Sequence, residues 1–404
     1  ALAVALRDDG LIRVALDDPQ CGYRTLMARH VYADGWWNEG SPIYHFYPLG
    51  AVVMTADAVR CRSIDLYDQQ LYNMFASPVR GVYPDLTFPA HNDGWYGESL
   101  IAQAGLFEAA YARFRDPLFR DVLAQCYRYV ERGGGYALLN PERIAPASEP
   151  LRQESFRFEN AGFALLRSSE ATVVLKYGPH GGGHGHPDKL SISVHNGRKE
   201  LVSDFGTSAY GAPDYTKWYR KTLAHNTVTV DGRDQSETAG EFVAFEARPD
   251  GGMVAARADS VYPGVEMSRR LTLKGAGLSD RFVCRSDETH RYDYVLLFNE
   301  RPALNGKSLG AASFGEEPYA RIRNAERYAF KRGFVIRTGD AEVRIDASAP
   351  VEVFVGEASG IPPTNPGVKT VSGSEKRPVQ PAYPVIVRMT GRTMTIDAQW
   401  RINP

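Results

Sequence analysis

Residues 171–194 read Ala171-Thr-Val-Val-Leu-Lys176-Tyr-Gly-Pro-His180-Gly-Gly-Gly-His184-Gly-His186-Pro-Asp188-Lys189-Leu190-Ser-Ile-Ser-Val194. Two runs rich in β-branched and aliphatic residues, 171–176 and 190–194, flank a loop too glycine-rich for a helix. The same signal recurs at Asn226-Thr-Val-Thr-Val230, Arg270-Leu-Thr-Leu273, Tyr294-Val-Leu-Leu-Phe298, Val343-Arg-Ile-Asp346 and Val385-Ile-Val-Arg388. Short strands separated by turn residues, without helical patterns between them, predict an antiparallel β-sandwich. The glycine runs are turns, because none follows the strand-to-helix pattern of a phosphate loop.

Upstream the period changes. Leu100, Ile101, Ala104, Leu106, Phe107 and Ala110 recur at helical spacing within Gly97–Arg115, and Asp116-Pro117 opens a second helix. Its stripe runs from Leu118 through Val130 to Gly133-Gly-Gly135. The Pro- and Ser-bearing stretch 140–150 has no period and reads as a linker. Two domains are therefore expected, 1–145 helical and 146–404 β. The chain opens on Ala1-Leu-Ala-Val-Ala-Leu6, which reads as the interior of a helix without a cap, so further helical chain is expected before it.

Lys and Arg total 47 against 48 acidic residues, a net charge of −1, which argues against bulk binding of nucleic acid or anionic membrane. The longest apolar run, Ala51–Ala56, is far short of the ~20 residues of a bilayer span. Cys21, Cys61, Cys126 and Cys284 form no CxxC pair and are expected as buried free thiols, with a disulfide among the first three as the alternative.

The chemistry concentrates in histidines. In an extended segment His184 and His186 would project from one face, because side chains alternate with period two. Paired imidazoles with carboxylates nearby suit a borderline metal such as zinc. Asp204 follows the apolar pair Leu201-Val202, and His225 precedes a strand. A single imidazole is more often just a satisfied polar group; the recurrence of HGHxD with a later Ala224-His225-Asn226-Thr227 weighs against that plainer reading.

His180-Gly-Gly-Gly-His184-Gly-His186-Pro-Asp188-Lys189, Asp204-Phe-Gly206 and Ala224–Thr227 together resemble the C-terminal domain of heparinase II/III-type lyases. In the helical part, Asp34-Gly-Trp36-Trp37-Asn-Glu39-Gly-Ser-Pro-Ile-Tyr44-His45-Phe-Tyr47 resembles the loop that carries the catalytic tyrosine of that superfamily. The resemblance implies an incomplete (α/α) toroid followed by an antiparallel β-sandwich. It implies metal ligands at His186, Asp204 and His225, zinc being the expected ion, and a catalytic pair Tyr44 and His184. Substrate contacts are expected from Trp37, Glu39, His45, Trp95, Tyr215, Tyr219 and Arg220. The superfamily's Asn or His that neutralises the substrate carboxylate would precede Ala1.

The implied partner is an anionic, uronate-containing polysaccharide, either alginate or a glycosaminoglycan, met in the periplasm or outside the cell. Exo-action on oligoalginate is favoured by the form of the HGGGHGHPDK motif. A homodimer is among the expected assemblies. Such a lyase removes the C5 proton of a uronate and expels the C4 substituent, which requires the neighbouring carboxylate to be neutralised. Tyr44 is the expected general acid, with service as the base too as the alternative, and His184 the complementary base or neutralising group according to the C5 stereochemistry. A metal hydrolase would need a base such as that of HExxH, a motif the sequence lacks. A non-catalytic carbohydrate-binding protein on the same scaffold is the rival reading.

Overall fold

The computed structural model describes residues 2–363 and 379–403; Ala1, the first residue of the expected opening helix, lies outside them. The chain divides into two compact units. The first comprises Ala1–Phe88 and Gly97–Arg152; the second takes the short loop Pro89–Tyr96 and continues from Gln153.

The first unit is helical. Asp8, Asp68 and Asp116 cap the helices Asp9–Asp17, Gln69–Arg80 and Pro117–Cys126 by accepting from backbone N–H groups in the first turn. The helix expected over Gly97–Arg115 starts later. Gly97 turns the chain at φ +85° and Ser99 pairs across to Thr87, so a tight turn, Leu100–Gln103, precedes the helix Ala104–Phe114. Its successor stops at Cys126, four residues before the apolar stripe ends. No described helix is long and apolar enough to cross a membrane.

The second unit is a network of antiparallel strands. Its spine is a pair of 22-residue strands, Gly277–Phe298 and Pro381–Ile402, in register from Gly277 opposite Arg401 to Phe298 opposite Tyr383. The sequence suggested only short strands here. The polar run Arg285–His290 hides the continuity, because that stretch is largely exposed and marks a register irregularity instead of a break. Burial alternates along Gly277–Arg285 and becomes continuous over Tyr292–Phe298. There one face joins the main core through Tyr294, Leu296 and Phe298. The other face, Val295 and Leu297, packs under Phe205, Trp218, Tyr219 and Leu223. The irregular segment 204–225 is thus bolted onto the sheet by its aromatic residues.

Two buried polar groups fix the loops that border it. Arg269, fully buried, grips both oxygens of Asp280 at 2.8 and 2.6 Å and donates to the carbonyls of Leu190 (2.7 Å) and Asn226 (2.5 Å). Asn226 donates to Ile192 and Ser203 carbonyls, both at 2.8 Å, and accepts from the Leu297 N–H at 2.6 Å. A planar five-donor guanidinium is suited to such a junction. The four cysteines are free: Cys126 and Cys284 are buried as expected, whereas Cys21 and Cys61 are exposed and no disulfide forms.

Arg269→Met would strand Asp280 as a buried unpaired charge. Urea denaturation should show a loss of about 3–5 kcal/mol, and Arg269→Met with Asp280→Leu should recover part of it. Equal loss in both variants would refute the charge argument.

Candidate active site

The loop between Thr172–Lys176 and Ser191–His195 is not extended at His184. It winds through a tight helical turn, Gly182–His184, and becomes extended at Gly185. Gly185 is required because a Cβ there would run into the His180 carbonyl. The loop Pro89–Tyr96 lies against it. Asp93 N–H donates to the His184 carbonyl (3.1 Å) and His186 N–H to Asn92 Oδ1 (3.2 Å). On its other side Trp95 pairs with Gly206, whose φ of +63° and close approach to the Gly94 carbonyl exclude a side chain.

Asp93 is the centre of the site. One carboxylate oxygen is 3.0 Å from His184 Nδ1 and the other 3.0 Å from His186 Nε2. Tyr215 donates to it at 3.1 Å and Tyr210 at 3.4 Å. Its side chain is fully buried. Burial pushes its pKa up, but hydrogen bonds from His186, His184 and Tyr215 outweigh this and leave it below the usual carboxylate range. Ionised, it can only accept. His184 must therefore donate from Nδ1 and His186 from Nε2.

Behind the histidines lies a buried charge cluster. His186, Asp204 and His225 are all buried, with the imidazoles 5.3 Å apart and His225 Nδ1 3.4 Å from Asp204 Oδ1. His186 Nδ1, both His225 ring nitrogens and Asp204 Oδ2 find no hydrogen-bond partner among the described residues. Asp188 is also close to Asp204 and His225. Its two oxygens are already taken, however, by the ammonium groups of Lys176 and Lys189. Burial raises the Asp188 pKa, yet those two lysines hold it well below the usual range. Burial conversely lowers that of Lys189. We read Asp188 as an ion-pair partner and not as a ligand. Burial also holds His186 neutral, its pKa lowered to about 4.

Tyr215 occupies a wide helical turn, Tyr215–Tyr219, a geometry common at functional sites. Arg220 donates to the Tyr215 hydroxyl (3.2 Å) and to the Gly185 carbonyl (2.9 Å), joining this turn to the histidine loop. The structure thus gathers His184, His186, Asp204, His225, Tyr215 and Arg220. Tyr219 turns away: it is buried and its hydroxyl donates to the Gly360 carbonyl at 2.9 Å. Trp95 is half-buried beside Gly206.

The remaining candidates lie in the first unit. Tyr44 sits half-buried in the first turn of the helix Pro42–Arg60, and Glu39 half-buried in the loop before it. Trp37 stacks on His30 at 5.1 Å and lines an apolar cleft with Tyr23, Met27 and Val52. His45 is fully buried. Its Nδ1 accepts from the Trp37 N–H (3.2 Å) and its Nε2 lies 2.8 Å from the Met74 carbonyl. Both nitrogens are spent on holding the loop, so His45 and Tyr219 serve as supports in place of the sugar contacts expected of them.

Residues 150–360 match the heparinase II/III-like C-terminal family model. The chain belongs to that family. It is 26% identical to an alginate lyase of Stenotrophomonas maltophilia, over 74% of this chain and 46% of the relative. It is 27% identical to an exo-oligoalginate lyase of Saccharophagus degradans over 73% and 46%. A heparin-sulfate lyase of Pedobacter heparinus is 27% identical over 52% and 31%. The chain therefore spans less than half the length of these relatives. In fold it resembles the crystal structure of the Pedobacter heparinus heparan sulfate lyase, with a TM-score of 0.65 and 17% identity, covering 95% of this chain and 55% of that one. Heparinase III gives 0.66 and 15%, covering 95% and 57%.

For this heparinase II/III-like chain, sequence reasoning missed Asp93, Lys176 and the second lysine contact of Asp188. The signal for Asp93 was the polar run His91-Asn-Asp-Gly94 between apolar Phe88-Pro-Ala90 and the aromatic pair Trp95-Tyr96. His45 supplies a test of the local structure. Burial lowers its pKa to about 4, so below pH 6.5 the unfolded chain binds a proton that the fold does not. Stability should be constant above pH 6.5 and fall between 6.5 and 4, by roughly 3 kcal/mol from this group. Urea denaturation at pH 7 and 4 should show a smaller loss for His45→Gln than for the wild type; equal losses would contradict the assignment.

Proposed function

We propose that the full-length protein is a polysaccharide lyase that cleaves a uronate-containing polymer by β-elimination, leaving an unsaturated uronate end. The observation that carries this reading is the Asp93-held His184, set beside the Tyr210 and Tyr215 hydroxyls and Arg220. With its Nδ1–H donating to Asp93, the His184 imidazole carries its lone pair on Nε2. That nitrogen is suited to take the C5 proton of a uronate. The Arg220 guanidinium is suited to a substrate carboxylate, whose neutralisation stabilises the enolate-like transition state. Tyr44 is assigned as the general acid that donates to the departing C4 oxygen. The longer span shared with the alginate lyase relatives favours oligoalginate, exo-cleaved, as the substrate. Such a polymer is met in the periplasm or outside the cell.

We read the helical unit as the C-terminal part of an (α/α) toroid and the strand network as an antiparallel sandwich. Asp204 and His225 offer ligand atoms that lie, with one of Asp188, within 4.8 Å of one another, and we assign His186, through its unpartnered Nδ1, as the third ligand of a divalent cation held with them. The unpartnered atoms are borderline-to-hard nitrogen and oxygen donors, and the 3.4 Å His225–Asp204 spacing suits tetrahedral bonds of about 2.0–2.2 Å, which favours zinc. When bound, the ion would supply positive charge and tie three loops together, as a structural site does.

Full-length protein assayed against alginate oligomers, heparan sulfate, chondroitin and hyaluronan should generate the unsaturated product, followed by its ultraviolet absorbance, with one polymer class. Tyr44→Phe should nearly abolish it; unchanged turnover would remove Tyr44 from the mechanism. No activity on any uronate polymer, together with retained binding, would leave the carbohydrate-binding alternative. Removal of the metal by a chelator, or His225→Ala, should lower the thermal midpoint by several degrees. A midpoint indifferent to both would refute a structural metal.

A further inference from the structure

Asp93 accepts from the two histidines of the HGH motif through different ring nitrogens, Nδ1 of His184 and Nε2 of His186, each at 3.0 Å. We propose that Asp93 is a positioning residue that sets opposite tautomers on these neighbours, one a proton acceptor at Nε2 and the other a metal donor at Nδ1. The inference rests on the lyase reading for the role of His184, and on the donor set above for that of His186.

The geometry carries the two halves separately. His186 Nδ1 is buried, has no hydrogen-bond partner among the described residues, and belongs to a ring 5.3 Å from that of His225. A metal-ligating imidazole takes this form when its other nitrogen donates to a carboxylate, which fixes the ring and raises its basicity. His184 is partly exposed and meets Asp93 through the nitrogen on the opposite side of its ring. A carboxylate facing that nitrogen orients the imidazole as a base and stabilises the cation formed when it takes a proton. Both oxygens of one buried carboxylate are needed, and Tyr215 and Tyr210 supply its further hydrogen bonds. The backbone locks the arrangement, since Asp93 N–H holds the His184 carbonyl and neighbouring Asn92 holds the His186 N–H.

Asp93→Asn is the discriminating variant. A side-chain amide offers one acceptor oxygen and one donor NH2, so both histidines cannot keep their tautomers against it. Two-bond proton–nitrogen spectra of zinc-loaded protein, with ¹⁵N-labelled histidine, should show His184 protonated at Nδ1 and His186 at Nε2 in the wild type. In Asp93→Asn one of the two should reverse. Reversal at His186 is expected to weaken zinc binding by about 10–100-fold in chelator competition. Reversal at His184 is expected to leave zinc binding intact and to reduce kcat of the full-length enzyme by roughly 10²–10⁴-fold at unchanged KM. Asp93→Glu should keep both tautomers. Wild-type tautomers in Asp93→Asn, with zinc affinity and kcat within about two-fold, would overturn the proposal. Absence of lyase activity in the wild type alongside the expected spectra would sink the functional reading and leave the tautomer assignment standing.

Discussion

The second unit is organised around a cost: Asp93, Asp188 and Asp204 are removed from water together with Lys176 and Lys189. An ion moved into a protein interior loses several kcal/mol of solvation unless close partners replace the water. Lys176 and Lys189 both spend themselves on Asp188, and Asn92 shares the Lys176 ammonium. Asp93 is answered by four hydrogen bonds, from two imidazoles and two phenols. Asp204 is left with the weakest provision, the Gly206 N–H at 3.1 Å and a 3.4 Å approach from His225 on one oxygen, the other being without a partner among the described residues. Three carboxylates against two ammonium groups leave a negative excess beside the unsatisfied atoms of Asp204 and His225. A cation there would complete the balance that the protein's own charges leave open.

This cluster can be held only if its loops are rigid, and the sheet supplies the rigidity from beneath. Arg269 and Asn226 reach four backbone carbonyls between them, at Leu190, Ile192, Ser203 and Asn226. These positions follow or precede Lys189, Asp204 and His225 by no more than four residues. Trp218 and Tyr219 anchor the far end of the Asp204–His225 segment by donating to the Ser359 and Gly360 carbonyls at 2.6 and 2.9 Å. Buried hydrogen bonds of this kind are expensive to leave unmade, so each polar anchor restricts the loop to one conformation. Tyr219, which read as a candidate for sugar contact, proves to be part of this scaffolding, and His45 is used in the same way within the first unit.

Sequence period was enough to find the strands around residues 172–176, 191–195 and 294–298, because alternating and continuous apolar runs report burial directly. It was not enough to see that Gly277–Phe298 is one strand, since an exposed polar stretch carries no periodic signal. The histidine loop was legible as chemistry and illegible as geometry. Period-two reasoning placed His184 and His186 on a common face, whereas the turn at Gly182–His184 presents different nitrogens of the two rings to one acceptor. Asp93 could not be deduced at all: it is more than ninety positions away in sequence, and local patterning says nothing about which distant loop supplies a partner. Lys176 read as the polar end of a strand, and only the fold shows its ammonium group on Asp188.

The separation of the HGH histidines follows from these constraints without appeal to any ligand. A buried ionised carboxylate accepts only, so a histidine on either of its oxygens must present a proton, and a neutral imidazole has just one. Presenting Nε2–H leaves the lone pair of His186 on Nδ1, in a ring 5.3 Å from that of His225; presenting Nδ1–H leaves that of His184 on Nε2, the nitrogen away from Asp93 and the Tyr210 hydroxyl. The intervening Gly185 permits the reversal, because the chain passes against the His180 backbone where a Cβ would not fit. Two identical side chains two residues apart thus acquire unlike chemistry from a single acidic group, and the choice is made by which ring nitrogen the backbone delivers to it.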